Sequence, residues 1–363
     1  MYKLLPVILL ILAHSVYSKE KGDEKQKHKK AKNIILLIGD GMGLTHLYTG
    51  YTVNKGNLNI ERFSYIGIQK TYSLNDYITD SGASATAIAT GEKTNNKMIG
   101  LRPDSTVLKS IIEIAEDNQI ATGLVATVTI THATPAAFFA HQPYRYMYEE
   151  IALDFLKTDI DLFISGGKKY FANRTDGLNL IDSLKARKYD VLFNLEEIDT
   201  DKMSKVACFT ADTHNVKMVE GRGDLLPNAV EKAIQVLDNN EKGFFLMAEG
   251  SQIDWGGHAN DQDYLITELV DFDNAVGKAL DFAEKDGNTL VIVTADHETG
   301  GIGIKAGNLE KGVIELGFTS TQHTGVWVPV FAYGPGAEEF IGFYENNYIF
   351  NKMIKAFGFL VKN

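Results

Sequence analysis

Short apolar runs rich in Val, Ile and Leu alternate along this chain with longer stretches of helical periodicity. A run that is apolar at every position suits a strand buried on both faces, and such strands separated by helices form a mostly parallel sheet. We therefore predict an α/β fold, a three-layer α/β/α sandwich around a large, mostly parallel central sheet. The predicted strands are 33–38, 121–128, 161–165, 244–248, 289–295 and 328–333, and the predicted helices are 105–117 with Ser105 as N-cap, 148–157, 178–188, 227–238, 262–285 and 345–357.

The composition limits which class of protein the chain can be and which side chains can bind a metal ion. A chain of 363 residues is long enough for one large hydrophobic core. Because Cys208 is the only cysteine, the chain forms no intramolecular disulfide and no cysteine-rich zinc module. Any metal ion must therefore be bound by His and carboxylate side chains. The net charge of −11 argues against a nucleic-acid-binding module, because nucleic acid is itself an anion.

The N-terminal segment has the pattern of a secretory leader. Residues 1–18 carry an early Lys3 and then an apolar run that is shorter than the ~20 residues of a membrane-spanning helix. We predict a signal peptide over 1–18, a lysine-rich linker over 19–32 and a single catalytic domain over 33–363. The protein is therefore expected in the periplasm or outside the cell, without a stable membrane anchor. An N-terminal membrane anchor is the alternative.

Acidic side chains directly follow three of the predicted strands. Asp40 comes after the first strand, Glu249 after the fourth, and Asp296 with His297 after the fifth. Ligands of such sheets bind beyond the carboxyl ends of the strands, so these side chains are expected at one edge. A single Asp after a strand is usually a helix cap or a turn residue. Three such strand ends, one of them with a His, favour a metal site instead.

Other side chains with ligand chemistry lie in the C-terminal half of the chain. Asp254 and His258 are four residues apart, which places both on one side of a helical turn, and His323 lies in a glycine-containing loop. Imidazole and carboxylate donors suit zinc, and the carboxylate oxygens of Asp40 and Glu249 also suit magnesium. The pair Asp254 and His258 alone would be weak evidence for a metal site, and it gains weight from the acids at the strand ends.

Ser81 is the candidate nucleophile. It stands in the small-residue segment TDSGASATA, where a helix that begins at Ser81 would direct backbone N–H groups at an anion. The alternative is a capped helix start with no chemical role. Arg145 is a candidate phosphate ligand, because a guanidinium matches two phosphate oxygens, although an isolated Arg is most often a surface residue. His132 and Thr134 follow the second apolar run, where a turn ended by Pro135 is the alternative interpretation.

Six separated motifs resemble those of the alkaline phosphatases, especially the compact bacterial members with few insertions. The motifs are IGDGMG, TDSGASATA, THATP, EGSQIDWGGH, TADHETGG and QHTG, and they extend over about residues 33–333 in the family's order and spacing. The resemblance implies metal-dependent hydrolysis of phosphate monoesters to an alcohol and inorganic phosphate. It also implies a covalent phosphoserine at Ser81, with Arg145 binding the non-bridging phosphate oxygens.

The resemblance further implies three metal ions and their ligands. One zinc ion would be bound by Asp254, His258 and His323, the second by Asp40, Asp296 and His297, and a third ion, magnesium, by Asp40, Thr134 and Glu249. With these cations an acidic protein is able to bind a phosphate dianion.

His132 and Trp255 depart from the pattern of the most familiar bacterial enzyme, which has an Asp and a Lys beside the metal cluster. The change removes one charge of each sign. Without the ammonium group, we expect weaker binding of product phosphate and faster turnover. Because imidazole suits zinc or cobalt better than magnesium, His132 leaves the identity of the third ion open.

The interval between His297 and His323 has 25 residues. Many relatives have a larger insertion there, so we expect a reduced lid and an open site. The resemblance also implies a homodimer. No catalytic role is assigned to residues 220–223 or to the histidines 46, 141 and 214.

Two other functions remain as alternatives. The first is phosphodiester, phosphonate or sulfate ester hydrolysis by a related superfamily member. The full set of third-ion ligands, and the absence of a C/S-x-P-x-R segment, argue against it. The second is a secreted phosphate- or metal-binding protein without turnover. Such a protein would not need a nucleophile beside the metal ligands.

Overall fold

A ten-stranded sheet forms the centre of the molecule in this computed structural model, which describes residues 29–359. The sheet order is β14-β2-β13-β8-β1-β7-β3-β4-β6-β5, and every pairing is parallel except those of β13 with its two neighbours. The strands of this sheet are β1 Asn33–Gly39, β2 Tyr65–Lys70, β3 Ala121–Thr129, β4 Leu162–Gly166, β5 Asp190–Leu192, β6 Val206–Ala211, β7 Phe244–Gly250, β8 Thr289–Thr294, β13 Val328–Tyr333 and β14 Gly342–Glu345. The predicted mostly parallel sheet is confirmed.

Two small antiparallel pairs lie outside this sheet. They are β10 Ile302–Asn308 with β11 Val313–Phe318, and β9 Glu298–Thr299 with β12 His323–Thr324. Both pairs lie between Asp296 and Val328 in the chain, so the interval for which a reduced lid is expected consists of one hairpin and a short strand pair that joins its ends.

Helices cover both faces of the large sheet. Successive side chains of β1 point to opposite faces: Ile34 packs in one hydrophobic cluster and Ile35 in the other. The first cluster contains side chains of α2 Ser81–Thr90, α3 Ile111–Asp117, α4 Ala133–Ala136, α5 Tyr148–Phe155, α6 Lys168–Ala172, α7 Leu180–Ala186 and α11 Tyr348–Phe357. The second contains side chains of α1 Leu44–Val53, α8 Leu225–Leu237, α9 Ile253–Ala259 and α10 Gln262–Asp286. The three-layer α/β/α arrangement is therefore confirmed.

The first predicted helix starts later than the sequence pattern suggests. Ser105 has a left-handed φ of 69° in a turn, and the helix begins at Ile111 with Ser110 as N-cap. The Ser110 hydroxyl accepts a hydrogen bond from the Glu113 N–H, and the Glu113 carboxylate accepts one from the Ser110 N–H. The last helix likewise begins at Tyr348, because Glu345 belongs to β14.

The predicted signal peptide and most of the predicted linker lie outside the described residues. At the end of that linker, Ala31 is buried and its N–H donates to the Ala356 carbonyl over 2.9 Å. Lys32 N–H donates to the Asn288 carbonyl. The side chains of Lys29 and Lys30 also donate to backbone carbonyls of the folded body, so the described end of the predicted linker is in contact with it. In the described part of the chain, no helix is both long and apolar enough to span a membrane.

Candidate active site

Four adjacent central strands deliver polar side chains to one edge of the sheet. In the order β8, β1, β7 and β3, these strands bring Asp296, Asp40, Glu249 and His132 to the edge. Asp40 directly follows β1, Glu249 is the penultimate residue of β7, and Asp296 and His132 follow the ends of β8 and β3 by two and three residues. β8 also leads into His297, while His132 is the N-cap of α4, in which Thr134 lies. The edge predicted from the strand ends is therefore where these side chains meet.

Three groups of possible metal ligands lie at this edge, and the ligand atoms within each group are within 4.8 Å of one another. One group comprises Asp40, Asp296 and His297, which are the residues assigned to the second zinc. A further group joins Asp254 and His323 with His297. His258, assigned to the first zinc, is next to this group, since its Nε2 is 3.3 Å from Asp254 Oδ2.

The third group comprises Asp40, Glu249 and His132. Thr134, which the resemblance assigned to the third ion, is fully buried beside His132 in α4. His132 is predicted to lie beside the metal cluster, whereas in the structure its imidazole has the position of a possible ligand. Asp40 is common to this group and to the group of Asp296 and His297.

Several buried oxygens and one ring nitrogen of the site have no hydrogen-bond partner. They are both Asp40 carboxylate oxygens, Glu249 Oε1, Asp296 Oδ2, Thr134 Oγ1 and His132 Nδ1. A buried polar atom without a partner is costly unless another group satisfies it. Because all of these atoms are electron-pair donors, bound cations fit the residues that are present.

The electrostatics of the carboxylates lead to the same conclusion. Burial, followed by the charges of Asp296, Asp254 and Glu249, raises the pKa of Asp40 well above its usual value. Burial likewise raises the pKa of Glu249 to about 7 and that of Asp296 to about 6. These carboxylates are crowded enough to need protons or metal ions to balance their charge.

The histidines of the site are oriented by hydrogen bonds from their outer nitrogens. His258 Nδ1 is 2.7 Å from the Thr321 carbonyl, and His323 Nδ1 is 2.8 Å from the Thr79 carbonyl. In each ring Nε2 therefore faces Asp254, where it donates a proton to the carboxylate in the metal-free protein and is available to bind a metal ion in the neutral ring. Burial lowers the pKa of His297 well below its usual value, which keeps that ring in the neutral form that binds metals.

Ser81 is at the first position of α2 and is buried beside His297. Its Oγ lies 3.2 Å from His297 Nε2. Asp80 is the N-cap of the helix, and its carboxylate accepts a hydrogen bond from the Ala83 N–H. The candidate nucleophile therefore stands at a capped helix N-terminus and in contact with the cluster of ligands.

Arg145 is brought to Ser81 by Asp80. Arg145 Nη1 donates to Asp80 Oδ2 over 2.9 Å, and the backbone N–H of Arg145 donates to the Lys97 carbonyl. The Lys97 N–H in turn donates to Asp80 Oδ1. Asp80 is not among the predicted site residues, although an Asp directly before a helix start is a signal for an N-cap.

Thr299 is another contact that the sequence analysis missed. Its hydroxyl donates to Asp254 Oδ1 over 2.5 Å and lies 3.2 Å from His297 Nδ1. Gly41 packs against the same place with a φ of 75°, and a Cβ there would come within 2.8 Å of Thr299 Oγ1. A glycine is therefore required at position 41 for the strand end to approach Asp254.

Trp255 packs beside His132 of the third group of ligands, with ring centroids 6.2 Å apart. His214, for which the sequence predicted no role, contacts both rings. Arg222 of the segment 220–223 forms a buried ion pair with Glu268 and Asp271. Its position therefore indicates a structural role.

Comparisons with known proteins identify a family for the chain. The alkaline phosphatase family profile matches residues 31–314 and 308–359. Alkaline phosphatase 4 of Bacillus subtilis is 34% identical, with 95% of this chain and 94% of that protein covered. The alkaline phosphatase of Escherichia coli is 33% identical over 91% of this chain and 87% of that protein. The solved alkaline phosphatase from the Antarctic bacterium TAB5 has a TM-score of 0.88 at 45% identity, over 92% of this chain and 100% of that one.

Proposed function

The chain belongs to the alkaline phosphatase family and is a metal-dependent phosphomonoester hydrolase, and on that premise we propose that Ser81 is its phosphoryl acceptor. One observation carries this assignment: Ser81 Oγ is 3.2 Å from His297, which belongs to two of the ligand groups. The residue before Ser81 also holds Arg145. The nucleophile, the phosphate ligand and the metal ligands thus meet at one helix terminus.

The substrate phosphate is bound by Arg145 and by the N-terminus of α2. The guanidinium is buried and fixed by Asp80, so it presents its remaining N–H groups to two phosphate oxygens. The backbone N–H groups of the first helical turn add partial positive charge on the same side. This arrangement orients phosphorus towards Ser81 Oγ.

The reaction takes place in two displacements. Ser81 Oγ forms a bond to phosphorus while the bond from phosphorus to the ester oxygen breaks, and the alcohol leaves. A water oxygen then attacks the phosphoserine, the Ser81 oxygen is released, and inorganic phosphate is the product. Arg145 remains on the non-bridging oxygens throughout, because their charge is present in both displacements.

The residues of the site fit three metal ions. Asp254, His258 and His323 would bind one zinc ion, and Asp40, Asp296 and His297 would bind a second, with imidazole and carboxylate donors typical of zinc. When bound, these ions supply the positive charge that stabilises the attacking and the leaving oxygen of the displacement. Asp40, Thr134 and Glu249 would bind the third ion.

We propose that the third ion is magnesium and that His132 shifts the preference of this site towards zinc or cobalt. Its imidazole lies in the ligand group of Asp40 and Glu249, and a nitrogen donor suits zinc or cobalt better than magnesium. His132→Asp should therefore increase the magnesium content relative to zinc. Elemental analysis of both proteins, loaded from equal mixtures of the two metals, checks this; an unchanged metal ratio contradicts the role of His132.

A homodimer is proposed from an apolar surface at one edge of the large sheet. Ile66, Ile341 and Phe343 are each more than half exposed there, and the Trp327 ring, itself 48% exposed, lies 5.4 Å from that of Phe343. Exposed apolar groups at such a density mark an interaction surface. Sedimentation velocity of wild type and Phe343→Asp tests this, with a dimer and a monomer expected; a monomeric wild type contradicts it.

The protein is further proposed to act in the periplasm or outside the cell, after removal of residues 1–18. The support is the leader-like sequence pattern. N-terminal sequencing of the protein recovered from the medium or periplasm is expected to start near residue 19. An N-terminus at Met1 in that fraction contradicts the proposal.

Chromogenic monoester and diester substrates compared on the metal-loaded protein test the proposed reaction. The monoester should be hydrolysed at least about 100-fold faster, because the site binds a dianion. A faster diester reaction would favour the related diesterases. Binding of phosphate without hydrolysis of either substrate would instead indicate a binding protein.

A further inference from the structure

His214 reaches the site from a strand that carries none of the motifs described above. It lies in the loop 212–215 after β6, and this loop is fastened to the site edge by Asn215. Asn215 N–H donates to the Thr127 carbonyl over 3.1 Å, and Gln252 Nε2 donates to the Asn215 carbonyl over 2.9 Å. On the other side, a Cβ at Gly166 would lie 2.0 Å from the Thr213 carbonyl oxygen. The loop is thus tightly packed against the ends of three strands.

The tautomer of His214 follows from its backbone contact. The Thr129 N–H donates to His214 Nδ1 over 3.2 Å, so Nδ1 carries no proton and the ring proton is on Nε2. This hydrogen bond fixes the ring at one end. The other end of the ring is free to contact the side chains of the site.

Three rings meet there nearly at right angles to one another. His214 and Trp255 have centroids 4.9 Å apart at 79°, and His214 and His132 have centroids 5.9 Å apart at 88°. The third pair, His132 and Trp255, is at 6.2 Å and 85°. Edge-to-face packing of this kind is worth about 0.5–1.5 kcal/mol per pair beyond the buried area.

Neither of the other two rings has a backbone hydrogen bond like that of His214 among the described residues. His132 Nδ1 has no hydrogen-bond partner, and the Trp255 indole makes no hydrogen bond to any residue over 29–359. His214 is the member of the three that is anchored to the backbone. The orientation of His132, and with it the geometry of the Asp40, Glu249 and His132 group, therefore depends on this ring.

We propose that His214 is a positioning residue for the third ion, acting by ring packing on Trp255 and His132. The proposal rests on the assignment of the third ion to this group under Proposed function. Loss of groups that orient metal ligands typically lowers metal affinity 10- to 100-fold. His214 is thus expected to change binding of the third ion more than the chemistry at Ser81.

Two variants separate ring packing from hydrogen bonding. His214→Phe keeps a ring but cannot accept the Thr129 N–H. His214→Asn keeps an acceptor for that N–H but has no ring. Val216→Ala, at an exposed position two residues further on, is the control for a general disturbance of the loop.

The experiment uses Trp255 as a local reporter. The chain has two tryptophans, so Trp327→Phe leaves Trp255 as the single fluorophore. Protein carrying two equivalents of Zn²⁺ is titrated with Co²⁺, which binds such donors more weakly than Zn²⁺, therefore occupies the remaining site, and quenches the indole. Phosphatase activity is not needed for this readout, so an inactive protein would contradict the proposed function without affecting the test.

We expect His214→Asn to weaken Co²⁺ binding about 10-fold, with His214→Phe and Val216→Ala within about twofold of the parent. Equal affinity of His214→Asn and the parent would overturn the proposal. So would an equal loss in both His214 variants, because the hydrogen bond and not the ring would then be responsible. If His214→Asn does not fold, a Co²⁺ affinity of His214→Phe that is within about twofold of the parent supports the proposal, and a 10-fold loss overturns it.

Discussion

The active site has two sides that balance charge in different ways. On the imidazole side, the single carboxylate of Asp254 faces His258 and His323. Burial raises the pKa of Asp254, but the hydrogen bond with His258 and the neighbouring histidines together hold that pKa below its usual range. On the carboxylate side, Asp40, Asp296 and Glu249 are buried together and their pKa values are all raised.

The two sides differ in how strongly they depend on bound cations. The imidazole side has its own partners for the one buried charge, whereas the carboxylate side has three negative charges and several oxygens without a donor. A buried charge without a partner is costly, so the carboxylate side requires metal ions for its full ionisation. Metal loss should therefore affect the carboxylate side more.

The largest expected effect follows from removing the charge of Asp40, which belongs to two ligand groups on the carboxylate side. Asp40→Asn should lower kcat/KM by at least about 1000-fold and the metal content by more than one ion per chain, because two sites lose a ligand. Kinetics with a monoester and elemental analysis check this. Asp263→Asn, at an exposed acid outside the site, is the control. Loss of one ion only would show that Asp40 is not shared.

The stability of metal-free protein should depend on pH because of the same carboxylates. Folded Glu249 and Asp296 have pKa values of about 7 and about 6, above the ordinary 4.5 and 3.8, so the folded state binds more protons between pH 4 and 7. The unfolding free energy of metal-free protein should thus be highest near the ordinary values and fall as pH rises through about 7, by on the order of 3 kcal/mol per carboxyl.

Denaturant unfolding of metal-free and metal-loaded protein at several pH values measures this effect. Burial also raises the pKa of Glu116 to about 7 and that of Asp271 to about 6, but both contribute equally to the two forms. Only the difference between the two forms therefore reports on the site. If that difference does not grow between pH 5 and 8, the carboxylate side does not need the cations.

Arg145→Lys tests the phosphate-binding part of the site, to which both sides contribute. A lysine keeps the charge but cannot hold Asp80 and two phosphate oxygens together, so KM and the inhibition constant of phosphate should rise about 10- to 100-fold. Lys97 contributes its backbone N–H and carbonyl to the same arrangement, so Lys97→Ala should change neither constant. Steady-state kinetics with phosphate as inhibitor check both variants, and an unaltered phosphate constant in Arg145→Lys contradicts the role of Arg145.

Trp255→Lys should have the smallest effect. An ammonium group next to the carboxylate side would add a positive charge near the phosphate, so product should bind several-fold more tightly and turnover should slow. Phosphate inhibition and kcat measure the two consequences. A variant that releases phosphate no more slowly than wild type would contradict the prediction that Trp255 speeds release.

The central strands were predictable because they are buried on both faces. Strands β1, β3, β4, β7, β8 and β13 each end within two residues of the predicted bounds, since continuous apolar runs leave little choice of position. Strands β2, β5, β6 and β14 of the large sheet and the pairs β10–β11 and β9–β12 were not predicted. Except for β6, which is largely buried, they are short or half-exposed. β2 and β14 also pair with strands far away in the chain.

The helix start at Ser110 shows another limit of sequence patterns. Both Ser105 and Ser110 are plausible N-caps, and the choice is decided by tertiary contacts: the Leu108 N–H donates to the Gly100 carbonyl, which prevents helix before residue 110. No local sequence pattern indicates the hydrogen bond between Leu108 and Gly100.

Within the site, the strand ends and the resemblance of the motifs predicted the charged residues but not the groups that orient them. Asp80, Thr299 and His214 act through contacts with Arg145, Asp254 and Trp255, and each pair is separated by more than 40 residues. Such contacts exist only after folding. An N-cap pattern could have indicated Asp80, whereas no local signal indicates Thr299 or His214.

Hydrolysis of a chromogenic phosphate monoester at alkaline pH tests most directly whether the reaction depends on metal ions and proceeds through a phosphoserine at Ser81. Wild type is measured before chelation, after chelation, and after zinc and magnesium are added back, with Ser81→Ala in parallel. We predict activity that is lost to the chelator, restored only by both metals together, and absent from metal-loaded Ser81→Ala. Undiminished hydrolysis by Ser81→Ala, or by the chelated enzyme, would contradict a metal-dependent phosphoserine reaction at this site.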